Sequence, residues 1–465
     1  MSKSESLFTC LAIALCLILI PHPAAAKTIY VDDDAAGAND GTSWADAYYY
    51  LQDALMFAAA GDEVRVAQGV YRPDDFVLSR RPNLGREETF QLKNGVNIKG
   101  GYAGIGEADP NARDIGLYET ILSGDLDGND EYERWPNWML GHPSRADNSY
   151  HVITSSGVDV NAVLDGFTVT GGNANGGTAL IEGGGIYNTN GSPTITNCSF
   201  IENCAEWSGG GMSNLNGNPT VSNCTFARNA ADSGGGMYNY RSAPTVANCT
   251  FSTNDVYWHD SGGGMYNRAS SPMINDCTFH YNWAEHAGGA IACTENSAPT
   301  ISHCIIIGNR VYDCGAGISC QEASSPTIKN CLIVNNQANE GYGGGILAVE
   351  GSCPTVINCT FANNMGYGYS DAVGCDDTSI PVIKNSILAE SVYVGDSAVI
   401  TGSNCPGDPC FAEPLWWGWD DIPVLGDYHL KSQAGRWDAN EGRWTIDDVT
   451  SPCIDAGDPM TPIGP

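Results

Sequence analysis

Between residues 183 and 371 the chain repeats one cycle of apolar and polar positions. Each cycle opens on paired glycines followed by apolar residues, passes through Pro-Thr-[Ile/Val], and closes on a phrase of the form Asn-Cys-x-Phe-x-x-Asn. The openings fall at Gly183, Gly209, Gly234, Gly262, Gly288, Gly315 and Gly343, every 25 to 28 residues. In the first full unit, GGGIYNTNGSPTITNCSFIEN, Ile186, Ile195, Cys198 and Phe200 take the inward positions of three short strands separated by turns. Strand content at this period predicts a solenoid, here an all-β right-handed parallel β-helix. Coils stack at about 4.8 Å, so each position of the phrase becomes a ladder along the axis.

The ladders carry their own chemistry. Cys198, Cys224, Cys249, Cys277, Cys304, Cys331 and Cys359 align; they suit either a metal or the small apolar filler of a dry face, and one thiol per coil favours the filler. The Asn197, Asn223, Asn248, Asn330 and Asn358 ladder, with Asp276 and His303 substituting, suits left-handed corners and stacked amides. Asn203, Asn229, Asn254, Asn282, Asn309, Asn336 and Asn364 are expected to do the same at the next corner. Cys293 and Cys320 share a repeat position in adjacent coils and could form a disulfide, as could Cys405 and Cys410 in CPGDPC.

Outside the repeats the pattern changes. Residues 27–150 read as a cap and first coils, 151–400 as the β-helix, and 401–465 as a closing segment. A strand at Thr28 to Val31 precedes a short capping helix, running from Trp44 to Ala60 behind Ser43, with Tyr48, Leu51, Leu55 and Ala58 as its apolar stripe. Val64, Val66 and Val70 alternate as a strand, and another lies near Val96 to Tyr102. Residues 1–26 combine Lys3, an apolar run from Leu7 to Ile20 and Ala24 to Ala26, the pattern of a cleaved secretory signal. Export makes the mature chain secreted or surface-located, with no integral membrane segment, and a monomer is expected.

Charge narrows the partners. Lys and Arg number 21 against 54 Asp and Glu, a formal net charge of −33, which repels nucleic acid and anionic lipid. In the loop GDLDGNDEYE, Asp125, Asp127, Asn129 and Glu131 alternate; they suit Ca2+ or a solvated acidic turn, and Pro136 at the twelfth position excludes a full EF-hand.

Three stretches resemble known proteins. The entry, YVDDD through DGTSWADAYYYLQDAL to GDEVRVAQGVYRP, resembles the start of secreted right-handed β-helix proteins of the pectate-lyase superfamily. SPTITNCSFIEN and GGGMYN resemble the repeats of polymorphic outer membrane proteins, and SPCIDAGDP the closing module of secreted bacterial β-helix proteins. The first resemblance implies calcium-assisted β-elimination, in which Arg241 or Arg268 would take a proton near Asp260. Against it, no connection within the repeat exceeds a few residues, whereas lyase clefts are walled by long loops.

The variable connections before each GG gather aromatic and acidic residues: Trp207, Trp258, His259, Trp283, Glu285, His286, Tyr312 and Asp313. Tyr238 and Tyr266 on the following strand, then Glu295 and Glu322, extend the same stripe. Aromatic faces stack on sugar rings, so an elongated polysaccharide fits an elongated ladder. The expected function is binding or cleaving extracellular polysaccharide, by a lyase or, second, through a hydrolytic pair such as Glu295 and Glu322. The competing class is a non-catalytic structural or adhesive surface protein.

Overall fold

The computed structural model describes residues 26–451 except 79–83, 179, 258–259, 367–371 and 390–397; beyond 401 it describes only 411–413, 427–430, 433, 436–438, 443–449 and 451. The secretory-signal stretch and the Cys405 and Cys410 pair therefore lie outside the described residues. The chain winds as a right-handed parallel β-solenoid. Each full coil has four strands rather than three. In the coil opened by Gly183 they are Ile186–Thr189, Thr194–Thr196, Ser199–Ile201 and Cys204–Ala205, and they belong to four parallel sheets, numbered 1 to 4 in that order. The fourth strand is two residues long, too short for an alternating pattern to show in the sequence.

Register is held by identical residues meeting across coils. Phe200, Phe226, Phe251 and Phe279 stack inside sheet 3 with ring centroids 4.6 to 4.8 Å apart. At the corner between sheets 3 and 4, Asn203 donates from Nδ2 to Asn229 Oδ1, and each further asparagine repeats the bond at 2.9 to 3.0 Å as far as Asn364. These residues are buried, and the left-handed backbone falls one position earlier, at Glu202, Arg228, Thr253 and Tyr281. The expectation of left-handed corners thus holds for the Asn197 ladder, whose members have φ of 53° to 55°; for the Asn203 ladder that half is corrected, while the expected stacking of amides holds. A third ladder, Asn188, Asn214, Asn239 and Asn267, runs inside sheet 1 with 2.9 Å amide bonds. It is continued by Cys293 and Cys320, which sit in register as free, fully buried thiols. The Cys198 ladder is buried as well, and Cys198 Sγ donates to the Thr196 carbonyl at 3.1 Å, a bond repeated coil by coil.

The entry caps this stack, with a shorter helix than predicted. The helix spans Leu51–Phe57, because Ser43 closes a turn with Asp46 and the Tyr48 backbone pairs with Tyr30 and Asp32, keeping the preceding chain extended. Tyr48, Leu51, Leu55 and Ala58 are buried as expected. Val64 and Val66 lie in the strand Glu63–Ala67, whereas Val70 faces outward from a separate strand, Gly69–Tyr71. At the far end, Leu430 of the closing segment packs against Ile305, Ile307, Leu332 and Val334 on the outer face of sheet 3.

One excursion breaks the regularity. Between the strands Thr120–Ser123 and Ile153–Ser156 the chain leaves the shaft and crosses sheet 4. Met139 there packs with Cys204, Ala230 and Tyr257. Arg145, 2% exposed, donates to the carbonyls of Gly172 and Glu202 and pairs with Asp130. Among the described residues the connections within the repeat are short, and a wall is supplied from before it.

Candidate functional site

Sheet 4 presents an outward row next to this wall. In register along the axis lie Cys204, Ala230, Asp255, Trp283, Arg310 and Gln337. The first three are buried beside the excursion; Trp283, Arg310 and Gln337 continue beyond it, half-buried. At the excursion's edge Tyr132, Trp135 and Trp138 are exposed, with the turn Pro136–Trp138 against the strands Ala230–Ala231 and Asp255–Val256. Arg228 fixes this edge by donating to the carbonyl oxygens of Glu133 and Arg134, pairing with Glu202 and lying 4.8 Å from the Tyr132 ring centroid. The connections leading from sheet 4 to sheet 1 add exposed Trp207, Tyr312 and Tyr342. In the same connections Tyr312 donates to Glu340 at 2.6 Å, and His286 pairs with Asp313 at 2.7 Å. Glu285 stands beside them, half-buried.

Tyr238 and Tyr266 occupy the outer face of sheet 1, yet each is less than a tenth exposed. They pack edge-on with centroids 5.5 Å apart, and Leu215, Tyr240 and Ala292 surround them. Burial pushes the Tyr238 phenol up to about 12 and raises Tyr266 as well. They form a floor rather than a free stacking platform. Their depth was illegible because alternation tells which side of a strand a residue takes, and not what folds over that side.

The three residues expected to act in elimination are separated by their partners. Arg268 binds Glu295 through Nε and NH2 at 2.7 and 2.6 Å and shares a hydrogen bond with Tyr238, so its guanidinium is raised further from deprotonation. Arg241 sits at a left-handed corner with its guanidinium 5.0 Å from the Tyr240 ring, and Arg268 approaches the same ring at 5.5 Å. Asp260 is bonded to Ser233 and its carboxyl is raised by burial. Glu322 accepts from the Glu295 backbone N–H at 3.2 Å, one coil apart. Trp258 and His259 lie outside the described residues.

The candidate calcium loop is closed by its own bonds. Asp125 accepts from the backbone N–H of Asn129 and Asp130 at 3.0 and 3.1 Å, while Asp127 and Glu131 donate backbone N–H groups to Asp147 and Ser144. Among the described residues, the acidic groups whose ligand atoms lie within 4.8 Å of one another are instead Asp32, Asp33 and Asp34 in the cap. Asp33, raised to about 6 by burial and by Asp34, also lines a cleft of about 160 Å³ with Tyr49, Tyr71, Arg72 and Asp75.

Residues 248–387 match the family model described as the right-handed beta helix region. No curated protein matches the chain. Among solved structures, the chain is similar to the pectate lyase Pel9A, with 14% identity over 90% of this chain and 93% of that one and a TM-score of 0.43. A rhamnogalacturonan lyase follows at 13% identity, 88% and 97% coverage and a TM-score of 0.38. A third is the tailspike protein gp49 of Acinetobacter baumannii bacteriophage Fri1, a capsular polysaccharide depolymerase, at 11% identity, 82% and 64% coverage and a TM-score of 0.36. No helix among the described residues is long and apolar enough to cross a membrane.

Proposed function

We propose that the protein binds an extended extracellular polysaccharide along the flank formed by sheet 4, its connections to sheet 1 and the edge of the excursion. One observation carries this reading. Of the strongly exposed tryptophans and tyrosines among the described residues, all but Trp444 lie on this flank: Tyr132, Trp135, Trp138, Trp207, Tyr312 and Tyr342. Rings left in water cost hydration free energy that a sugar face recovers by stacking, while the interleaved Asp313, Glu340 and Arg310 supply hydrogen bonds to hydroxyls. The distribution along the shaft fits a polymer better than a small ligand, since successive coils are about 4.8 Å apart. The acidic surface favours neutral glycans, or uronates bridged by a divalent cation, over sulfated ones. β-Elimination fits less well, because Arg268 is engaged by Glu295 and Tyr238. Affinity electrophoresis against neutral and uronic-acid polysaccharides tests the proposal: at least one polymer should retard the protein, and retardation by none would refute it.

A further inference from the structure

The residue just before each pair of glycines forms a row of its own at the start of the repeats. Glu182, Ser208 and Ser233 stand in parallel register on successive coils, and Ser261, preceded by Asp260, follows on the next. A carboxyl group therefore closes each end of a short serine row. The two lean toward each other. Glu182 Oε2 lies 3.5 Å from the hydroxyl of Ser213, one coil forward, and Asp260 Oδ2 accepts from the hydroxyl of Ser233, one coil back. The backbones of Glu182 and Asp260 stand three coils apart, ~14 Å, and the lean of both side chains narrows the gap between the carboxyl groups to about two rungs or less, ~5 to 10 Å. Between them the Ser208 hydroxyl is 2% exposed and has no hydrogen-bond partner. Both carboxyl residues keep partial contact with solvent.

We infer that Glu182 and Asp260 form a hydrolytic pair that cleaves the glycosidic bond of the polysaccharide held on the flank, an inference that rests on the binding function proposed above. Hydrolysis by direct attack of a water requires paired carboxyl groups about 6.5 to 9.5 Å apart, which leaves room for that water. Their environments divide the roles. Burial raises Glu182 and Ser213 alone offsets this, so the acid role is assigned to Glu182. Asp260 is also raised by burial, but Ser233, the Ser261 N–H, His286 and Arg268 pull it back toward the ionised form, which suits a base. In the step, Glu182 delivers its proton to the bridging oxygen as the bond from that oxygen to the anomeric carbon breaks. Asp260 takes a proton from the water whose oxygen bonds to that carbon. One water is consumed, one reducing end and one hydroxyl are formed, and solvent returns the proton from Asp260 to Glu182.

The test incubates the full mature chain with each polymer it binds, following reducing ends and ultraviolet-absorbing unsaturated ends separately. Reducing ends should accumulate without unsaturated ones. Glu182→Gln and Asp260→Asn should each lower the rate at least ~100-fold while the electrophoretic affinity and the melting temperature stay as in the wild type. A polymer that is bound but stays intact overturns the pair and leaves the binding function standing. Unsaturated ends, or a Glu182→Gln variant that folds and keeps its rate, also overturn it.

Discussion

Asn203 and Cys204 are neighbours in sequence and opposites in the fold. The row begun by Asn203 is asparagine in all seven coils; the row begun by Cys204 reads Cys, Ala, Asp, Trp, Arg and Gln. The first row points inward, where each amide must both donate to and accept from the coil beside it, so no other side chain completes the chain of bonds. The second row points outward, where no coil makes such a demand. Regularity therefore marks where coils recognise one another, and variation marks where something else can be recognised.

The strongest way to break this contrast is to interrupt the inner row. Asn282→Ala strips the Asn254 backbone N–H of its acceptor and removes the Asn282 side-chain bonds to Asn254 Nδ2, the Phe251 carbonyl and Asn309 Oδ1, the last keeping only the Asn282 backbone N–H. A stranded buried N–H together with three lost buried bonds should cost about 3 to 4 kcal/mol, read as a fall in urea midpoint. A loss below about 1 kcal/mol would mean the ladder is decoration. Next in size is the staple of the outer wall. Arg145→Ala leaves the half-buried Asp130 without its cation and the Gly172 and Glu202 carbonyls without their donor, and should cost about 2 to 3 kcal/mol, with early proteolytic cleavage between residues 124 and 148. Uniform resistance to protease would contradict the assigned role.

His151 sharpens the contrast by pH. It stacks on Tyr187 with its Nδ1 3.1 Å from the Gly183 carbonyl, and burial lowers it to about 4. Between that value and 6.5 the unfolded chain binds a proton that the folded chain refuses. Its contribution is thus fully present above pH 6.5 and is lost on acidification, at up to about 1.4 kcal/mol per pH unit. His151→Gln should flatten that part of the stability profile, and an unchanged slope would contradict the assignment. Smallest in stability is the outer row itself. Trp283→Ala should change unfolding free energy by less than about 0.5 kcal/mol, and a larger loss would place Trp283 in the scaffold.

The same contrast explains what could be read from the chain. Ladders repeat because adjacent coils impose one constraint again and again, so the Cys198, Asn197 and Phe200 rows were legible, and with them the solenoid. The asparagine of the GGGMYN phrase forms the third ladder and was visible for the same reason, although it went unread. The excursion was not legible as a wall, since nothing in its sequence repeats and its docking rests on scattered contacts of Met139, Arg145 and Arg228. Glu182 was missed because it occurs once, at a position where later coils carry serine. The aromatic stripe was read as one surface, but the fold divides it. Trp207, Trp283 and Tyr312 stand on the open flank, while Tyr238 and Tyr266 lie beneath cover.

The central claim is that the irregular flank binds glycan and the regular interior does not take part. The most direct measurement compares the wild type with a Trp138→Ala, Trp207→Ala, Tyr312→Ala triple variant by affinity electrophoresis on a polymer that retards the wild type, alongside thermal melting. The account predicts at least a ~10-fold loss of affinity with a melting temperature unchanged within a few degrees, as expected of rings that stack on sugar rather than on protein. Full retention of affinity, or a collapse of the melting temperature together with it, would contradict the account.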